Sequence, residues 1–450
     1  MSPVIQGAEV RNSPSLTTIV EATAAREIQL SRLLVAYISL GLLFMLLPGT
    51  FLGVWNLLAI SSHHSAGTVP AAWIQAHGHA QIFGWIGSFI LGIGYYSIPK
   101  LRRLNPFALW TPWTSLLLWS TGVTLRWVAG VYGWQWRILL PLSALLEISA
   151  FLLFFRVVSG HSAGDTDGKR KLETWILVVI AGSLGWMATL ILNLFSAALL
   201  AWRGSGPVLP HSFDQRFLVL QTWGFLVPFI WGFSAKWLPI FLGLRPLHSR
   251  RLIWAVALNS TGVIAALLDW FTVSAIILLA GFAVAAHSLR VFEAGERPPK
   301  IKGVHCTFPF FIRLAYVWGL ISSALAVWAA LTAEAVGIWG ASRHALTVGF
   351  IALMVFCVGQ RVLPAFSGMR LLFSTKLMFA ATALLALGCF LRVAAEILAY
   401  QGFSQHAWSC LPVSAITELT AVTIFGVNLA LTFASRKNRA ELQYRNAQAA

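Results

Sequence analysis

The chain has 450 residues, 58% hydrophobic and only 10% charged. Soluble domains carry about 25% charge, so a soluble globular protein is excluded and an integral membrane protein is expected. The net charge of +17 does not indicate nucleic acid, because the basic residues sit in short loops between apolar stretches, as the positive-inside rule requires.

Residues 1–30 read as a cytoplasmic tail with a short amphipathic helix over Glu21 to Leu30, and no cleavable leader is expected, so the first span anchors the chain. Residues 31–435 form the transmembrane domain. Its twelve apolar spans lie near 33–56, 77–98, 107–128, 137–157, 174–201, 215–239, 252–268, 270–288, 312–332, 344–364, 374–398 and 411–434. At about 20 residues each, these lengths suit a bilayer core; the seventh and eighth turn tightly at Asp269. Residues 436–450 form a basic cytoplasmic tail. All but six of the 32 Lys and Arg residues fall on the side of the two termini. The exceptions are Arg126, Arg137, Arg203, Arg216, Arg343 and Arg392. This asymmetry predicts that both termini lie in the cytoplasm.

A repeat organises the spans. Span two opens His77-Gly78-His79 and continues Gly84-Trp85 to Pro99; span ten opens at His344 and continues Gly349-Phe350 to Pro364. Span six has Val219 at the histidine position, then Gly224-Phe225 and Pro239. In all three the proline stands twenty residues after His79, Val219 or His344, roughly 30 Å of helix and one bilayer core. A small residue (Gly94, Ser234 or Gly359) stands five before it. Spans two, six and ten are four apart, so the expected fold is all-α, a polytopic membrane protein of about twelve helices in three pseudo-repeated four-helix arcs.

Imidazole binds haem iron, copper and zinc, and an ionisable residue in a span is a functional candidate. His79 and His344 share a repeat position, which makes them candidate axial ligands of one haem between spans two and ten. His77 points about 200° from His79 on a regular helix, towards a second metal or a supporting role. His211, in Pro210-His211-Ser212-Phe213-Asp214, is a further candidate metal ligand, with Asp214 and Arg216 as orienting groups; a loop histidine is the alternative. Arg343 can pair with a haem propionate through its planar fork. His63, His64 and His406 lie in outer loops, and His161, His248, His287 and His305 on the basic side. Glu147, Glu418, Asn193, Asn428 and Gln81 lie within spans, and Arg392 and Glu396 share one helix face. The four cysteines are far apart and form no CxxCH site, so any haem is held non-covalently.

The His77-Gly78-His79 opening, together with Arg343-His344-Ala345-Leu346-Thr347-Val348-Gly349, resembles the NnrS family. That resemblance covers most of the chain and implies a twelve-span bacterial inner-membrane protein with haem and copper, tied to nitric oxide and nitrosative stress. It implies His77, His79 and His344 as haem or metal ligands. Ala80 stands where the family motif has an acidic residue, and Lys100-Leu101 where it has asparagine-tryptophan. A more distant similarity is to the catalytic subunit of haem-copper oxidases and nitric oxide reductases, whose twelve spans form three arcs and whose low-spin haem is held by spans two and ten. Span six here lacks the core histidine and span seven the His-His pair, so ordinary oxygen reduction is not expected. The expected cofactor is haem b, with copper as a second metal; the expected partners are the lipid bilayer, a periplasmic or membrane electron-transfer protein and nitric oxide, not nucleic acid. Haem-dependent oxidoreductase chemistry, a transporter of a metal, haem or small solute, and a non-catalytic respiratory subunit all stay open at this point.

Overall fold

The computed structural model describes residues 16–160, 173–332, 336–368 and 370–435; residues 1–15 and 436–450 of the expected tails, and His161, lie outside them. Each expected span becomes one helical rod. These are α1 (Leu16–Phe44, continued through Met45–Phe51 into Leu52–His63), α2 (Ala71–Arg102), α3 (Trp110–Tyr132), α4 (Trp136–Val158), α5 (Thr174–Arg203) and α6 (His211–Leu242). They continue as α7 (Ser249–Leu267), α8 (Phe271–Ser288), α9 (Phe308–Leu331), α10 (Gly337–Phe366), α11 (Thr375–Tyr400) and α12 (Ala407–Ala434). Asp269 makes the predicted turn between α7 and α8 with a φ of 72°. The described residues are all-helical apart from turns.

The rods form the three arcs. Hairpins α3–α4, α7–α8 and α11–α12 are the closest neighbours, α4 packs on α5 and α8 on α9, and α12 returns to α1. One glycine per arc permits the hairpin approach: a Cβ at Gly122 would lie 2.9 Å from Ser143 O, and one at Gly388 3.2 Å from Ser414 O. In the apolar windows of α2, α6 and α10, 89%, 67% and 72% of residues are buried, against 39–50% for the other membrane-length helices. The repeat helices are therefore the inner three, surrounded by protein on every side. Being apolar all round suits them to that place.

All three inner helices begin earlier than their apolar runs. Pro70 and Pro210, with φ near −55°, start α2 and α6; such prolines are helix-start signals because they lack the N–H that the first turn cannot use. His77, His79 and His344 therefore lie inside helices, not at their tips. Immediately after His79, Val219 and His344 the helix widens to i→i+5 turns, over Ala80–Gly87, Leu220–Leu226 and Ala345–Ala352. Widening loosens the backbone hydrogen-bond ladder. Side chains of the outer ring reach its carbonyls: Trp119 Nε1 donates to Phe83 O at 3.2 Å and Asn259 Nδ2 to Trp223 O at 2.7 Å. Trp119 and Asn259 hold the same place in α3 and α7, three residues before Gly122 and Gly262.

Candidate cofactor cavity

One cavity of about 460 Å³ runs between the inner helices near their histidine ends. That is within the range of about 300–1,000 Å³ for small-molecule and cofactor sites. Its walls are mostly apolar, with charged groups from five helices: Arg126 (α3), Asp214 (α6), Arg343 (α10), Arg392 and Glu396 (α11), and Glu418 (α12). His77, His79 and His344 all line it.

The two α2 histidines face different ways. His79 is 6% exposed and turns to α4, where its Nε2 meets Glu147 Oε1 at 2.7 Å. Glu147 is fully buried, and its other oxygen accepts from Asn193 Nδ2 of α5 at 3.1 Å. Phe83 stacks on the His79 ring with centroids 4.4 Å apart. His77 turns to α1, and its Nδ1 lies 2.8 Å from Gly49 O. A carbonyl only accepts, so Nδ1 carries the proton and the Nε2 lone pair is free. His77 is close enough to His344, Glu418 and Arg392 to feel their charges.

His344 repeats the His79 arrangement in the last arc. Its Nε2 meets Glu418 Oε1 of α12 at 2.9 Å. With that N–H given to an ionised carboxylate, the lone pair of a neutral ring is on Nδ1. Arg392 forms an ion pair with Glu396 at 3.3 Å, while its Nε and Nη1 stay without hydrogen-bond partners. Gln81 donates to Thr50 Oγ1 at 3.1 Å, again towards α1. Two sectors therefore flank α2. One, bounded by α1, α2, α10, α11 and α12, holds His77, His344, Glu418, Arg392 and Glu396. The other, bounded by α2 to α6, holds His79, Glu147, Asn193, Arg126 and Asp214.

The structure thus turns His77, not His79, towards the His344 side, because the two rings leave α2 on opposite faces. His211 stays outside: it is exposed at the first residue of α6, and its hydrogen-bond partner is Gln215, with nitrogens 3.3 Å apart. Arg216 pairs with Asp269 at 3.1 Å. Arg343 lines the cavity and donates Nε to Trp339 O at 3.3 Å. His63, His64 and His406 are exposed at the same end. Among the described residues, no three His, Cys, Asp or Glu side chains converge to hold a bare metal ion.

Sequence reading recognised Glu147, Glu418 and Arg392 as buried polar residues without linking them to the histidines. The missed signal is a second repeat. Gly122-x3-Arg126 and Ser143-x3-Glu147 recur as Gly388-x3-Arg392 and Ser414-x3-Glu418. The middle arc keeps the frame as Gly262 and Ser274 but has Ala266, Leu278 and Val219 in place of Arg, Glu and His. The charged set is present as a unit in two arcs and wholly apolar in the third.

No protein-family model matches the chain, and no curated protein matches it. Among solved structures, it is similar to one determined by cryo-electron microscopy and described as a haem-copper terminal oxidase dimer, with a TM-score of 0.54 and 11% identity. The match covers 91% of this chain and 85% of that one. At this identity the likeness concerns the fold: this is a polytopic, all-α membrane protein with the three-arc architecture of a haem-copper oxidase.

Proposed function

We propose that this chain is a bacterial inner-membrane haem protein of the NnrS kind, holding one b-type haem non-covalently in the sector between α2 and α10. The observation that carries this reading is the pair His77 and His344. They sit on neighbouring inner helices at one cavity, each with one ring nitrogen held by the protein and the other free for a metal. That is the chemistry of a built ligand set, since metal-binding imidazoles give their second N–H to a carbonyl or carboxylate. Gly49 O serves His77 and Glu418 serves His344. The unpartnered nitrogens of Arg392 suit a propionate, and Arg343 lines the same cavity beside it. Haem with two imidazole ligands supplies one-electron chemistry, with a potential tuned by ligand, burial and hydrogen bonding. The resemblance to NnrS points that chemistry at nitric oxide or nitrosative stress. His79 is given a supporting place, held away by Glu147.

The test is a haem assay on detergent-purified protein produced with ample haem. The wild type is expected to show a Soret band and a pyridine haemochrome of haem b. His77→Ala and His344→Ala are each expected to retain under about a tenth of it, since loss of a ligand's outer-shell partner alone costs about 10–100-fold. His79→Gln, which keeps a donor for Glu147, is expected to retain it. A folded wild type without haem, or full retention in both alanine variants, overturns the reading. Metal analysis of the same sample decides whether copper accompanies it.

A further inference from the structure

The sector on the α4 side of α2 contains a buried arginine with no ion pair or hydrogen bond among the described residues. Arg126 is 5% exposed and lines the cavity from α3. Among the described residues it makes no ion pair, and its buried Nη1 has no hydrogen-bond partner. Glu147, whose field it feels, already has one oxygen on His79 and the other on Asn193. Asp214 faces the same cavity from α6 but reaches Arg126 and Arg343 only through space.

The repeat shows what is missing. Arg392 is the counterpart of Arg126 and has a carboxylate four residues on, Glu396, one turn along the same face. Four residues after Arg126 the chain has Gly130. The arginine is present without the carboxylate that follows its counterpart, which leaves a planar guanidinium at the wall of a mostly apolar cavity. A buried guanidinium without a counter-ion is costly, and its geometry matches a carboxylate in bidentate fashion.

We propose that Arg126 anchors the carboxylate of a ligand whose apolar body is held in the cavity that Ile82, Ile86 and Leu218 also line. Two sources carry that chemistry: a propionate of the haem proposed above, which rests on that reading, or a separate aliphatic carboxylic acid, which does not. Two arms distinguish them. In one, haem-free protein is titrated with octanoate and its thermal midpoint followed. In the other, the same protein is titrated with haem and with haem dimethyl ester, whose propionates carry no charge.

Octanoate stabilisation lost by about ten-fold or more in apparent affinity in Arg126→Gln assigns a separate acid. A preference for haem over its diester that falls by a similar factor in Arg126→Gln assigns the propionate. Arg126→Lys, which keeps the charge without the fork, is expected to lie between wild type and Arg126→Gln, and serves if Arg126→Gln does not fold. Arg203→Gln, which removes an exposed charge at the same end, is expected to change neither titration. If Arg126 variants match the wild type in both arms, water and Asp214 satisfy the guanidinium and the proposal falls, whatever becomes of the haem reading.

Discussion

A histidine inside a membrane span is defined by what its second nitrogen touches. His79 and His344 reach carboxylates across the bundle, whereas His77 reaches a carbonyl. The first two are buried or part-buried pairs, so removing one member strands the other. His79→Val is expected to destabilise the protein by about 3–5 kcal/mol, because Glu147 is then left charged and fully buried. The triple variant His79→Val, Glu147→Leu, Arg126→Ala copies the middle arc, where Val219, Leu278 and Ala266 occupy these places. It is expected to recover most of that loss, short by about 1–2 kcal/mol for the Asn193 amide, which loses its acceptor. Unfolding in detergent measures both; a triple variant no more stable than the single one shows that the charged set is not the unit argued here. The histidines and glutamates were visible as residues in the sequence. Their pairing was not, since the partners are 68 and 74 positions apart.

Among the elements, the inner helices are the most constrained. The widened turns recur in α2, α6 and α10, including α6, which has Val219 at the histidine position; they therefore belong to the frame, not to the ligands. Close packing around them is equally strict. A Cβ on Gly185 of α5 would lie 1.8 Å from Gly224 O of α6, a backbone atom. A Cβ on Gly224 would crowd the end of the Leu220 side chain at 2.9 Å, with Val263 at an ordinary 3.5 Å. Gly185→Ala is therefore expected to cost more than about 3 kcal/mol, beyond ordinary overpacking, while Gly224→Ala is expected to be accommodated by a rotamer change. Thermal midpoints and folded yield in detergent separate the two; equal loss would place the obstruction elsewhere. Periodicity located these helices, but their starts at Pro70 and Pro210 were missed because the apolar runs begin several residues later.

For the whole molecule, the +17 charge is a statement about sides. The basic ends of α2, α4, α6 and α8 lie opposite the cavity. With the basic side cytoplasmic, a fluorescent protein fused after Ala450 is expected to fluoresce. Alkaline phosphatase fused after Arg203 is expected to be active, since that loop then lies in the periplasm. The reverse pattern would invert the orientation and move the cavity to the cytoplasmic face.

The sequence by itself determined the solvent this protein lives in, the number of its spans, the spacing of its inner helices and the positions of three histidines. Those properties are local, since they depend on hydropathy and period along one helix. Only the tertiary structure decided which histidine looks into which sector, which carboxylate holds it, and that Arg126 forms no ion pair among the described residues. Those properties depend on helices that meet across the bundle, and on which face each presents after its turns have widened. A one-dimensional period does not contain that information.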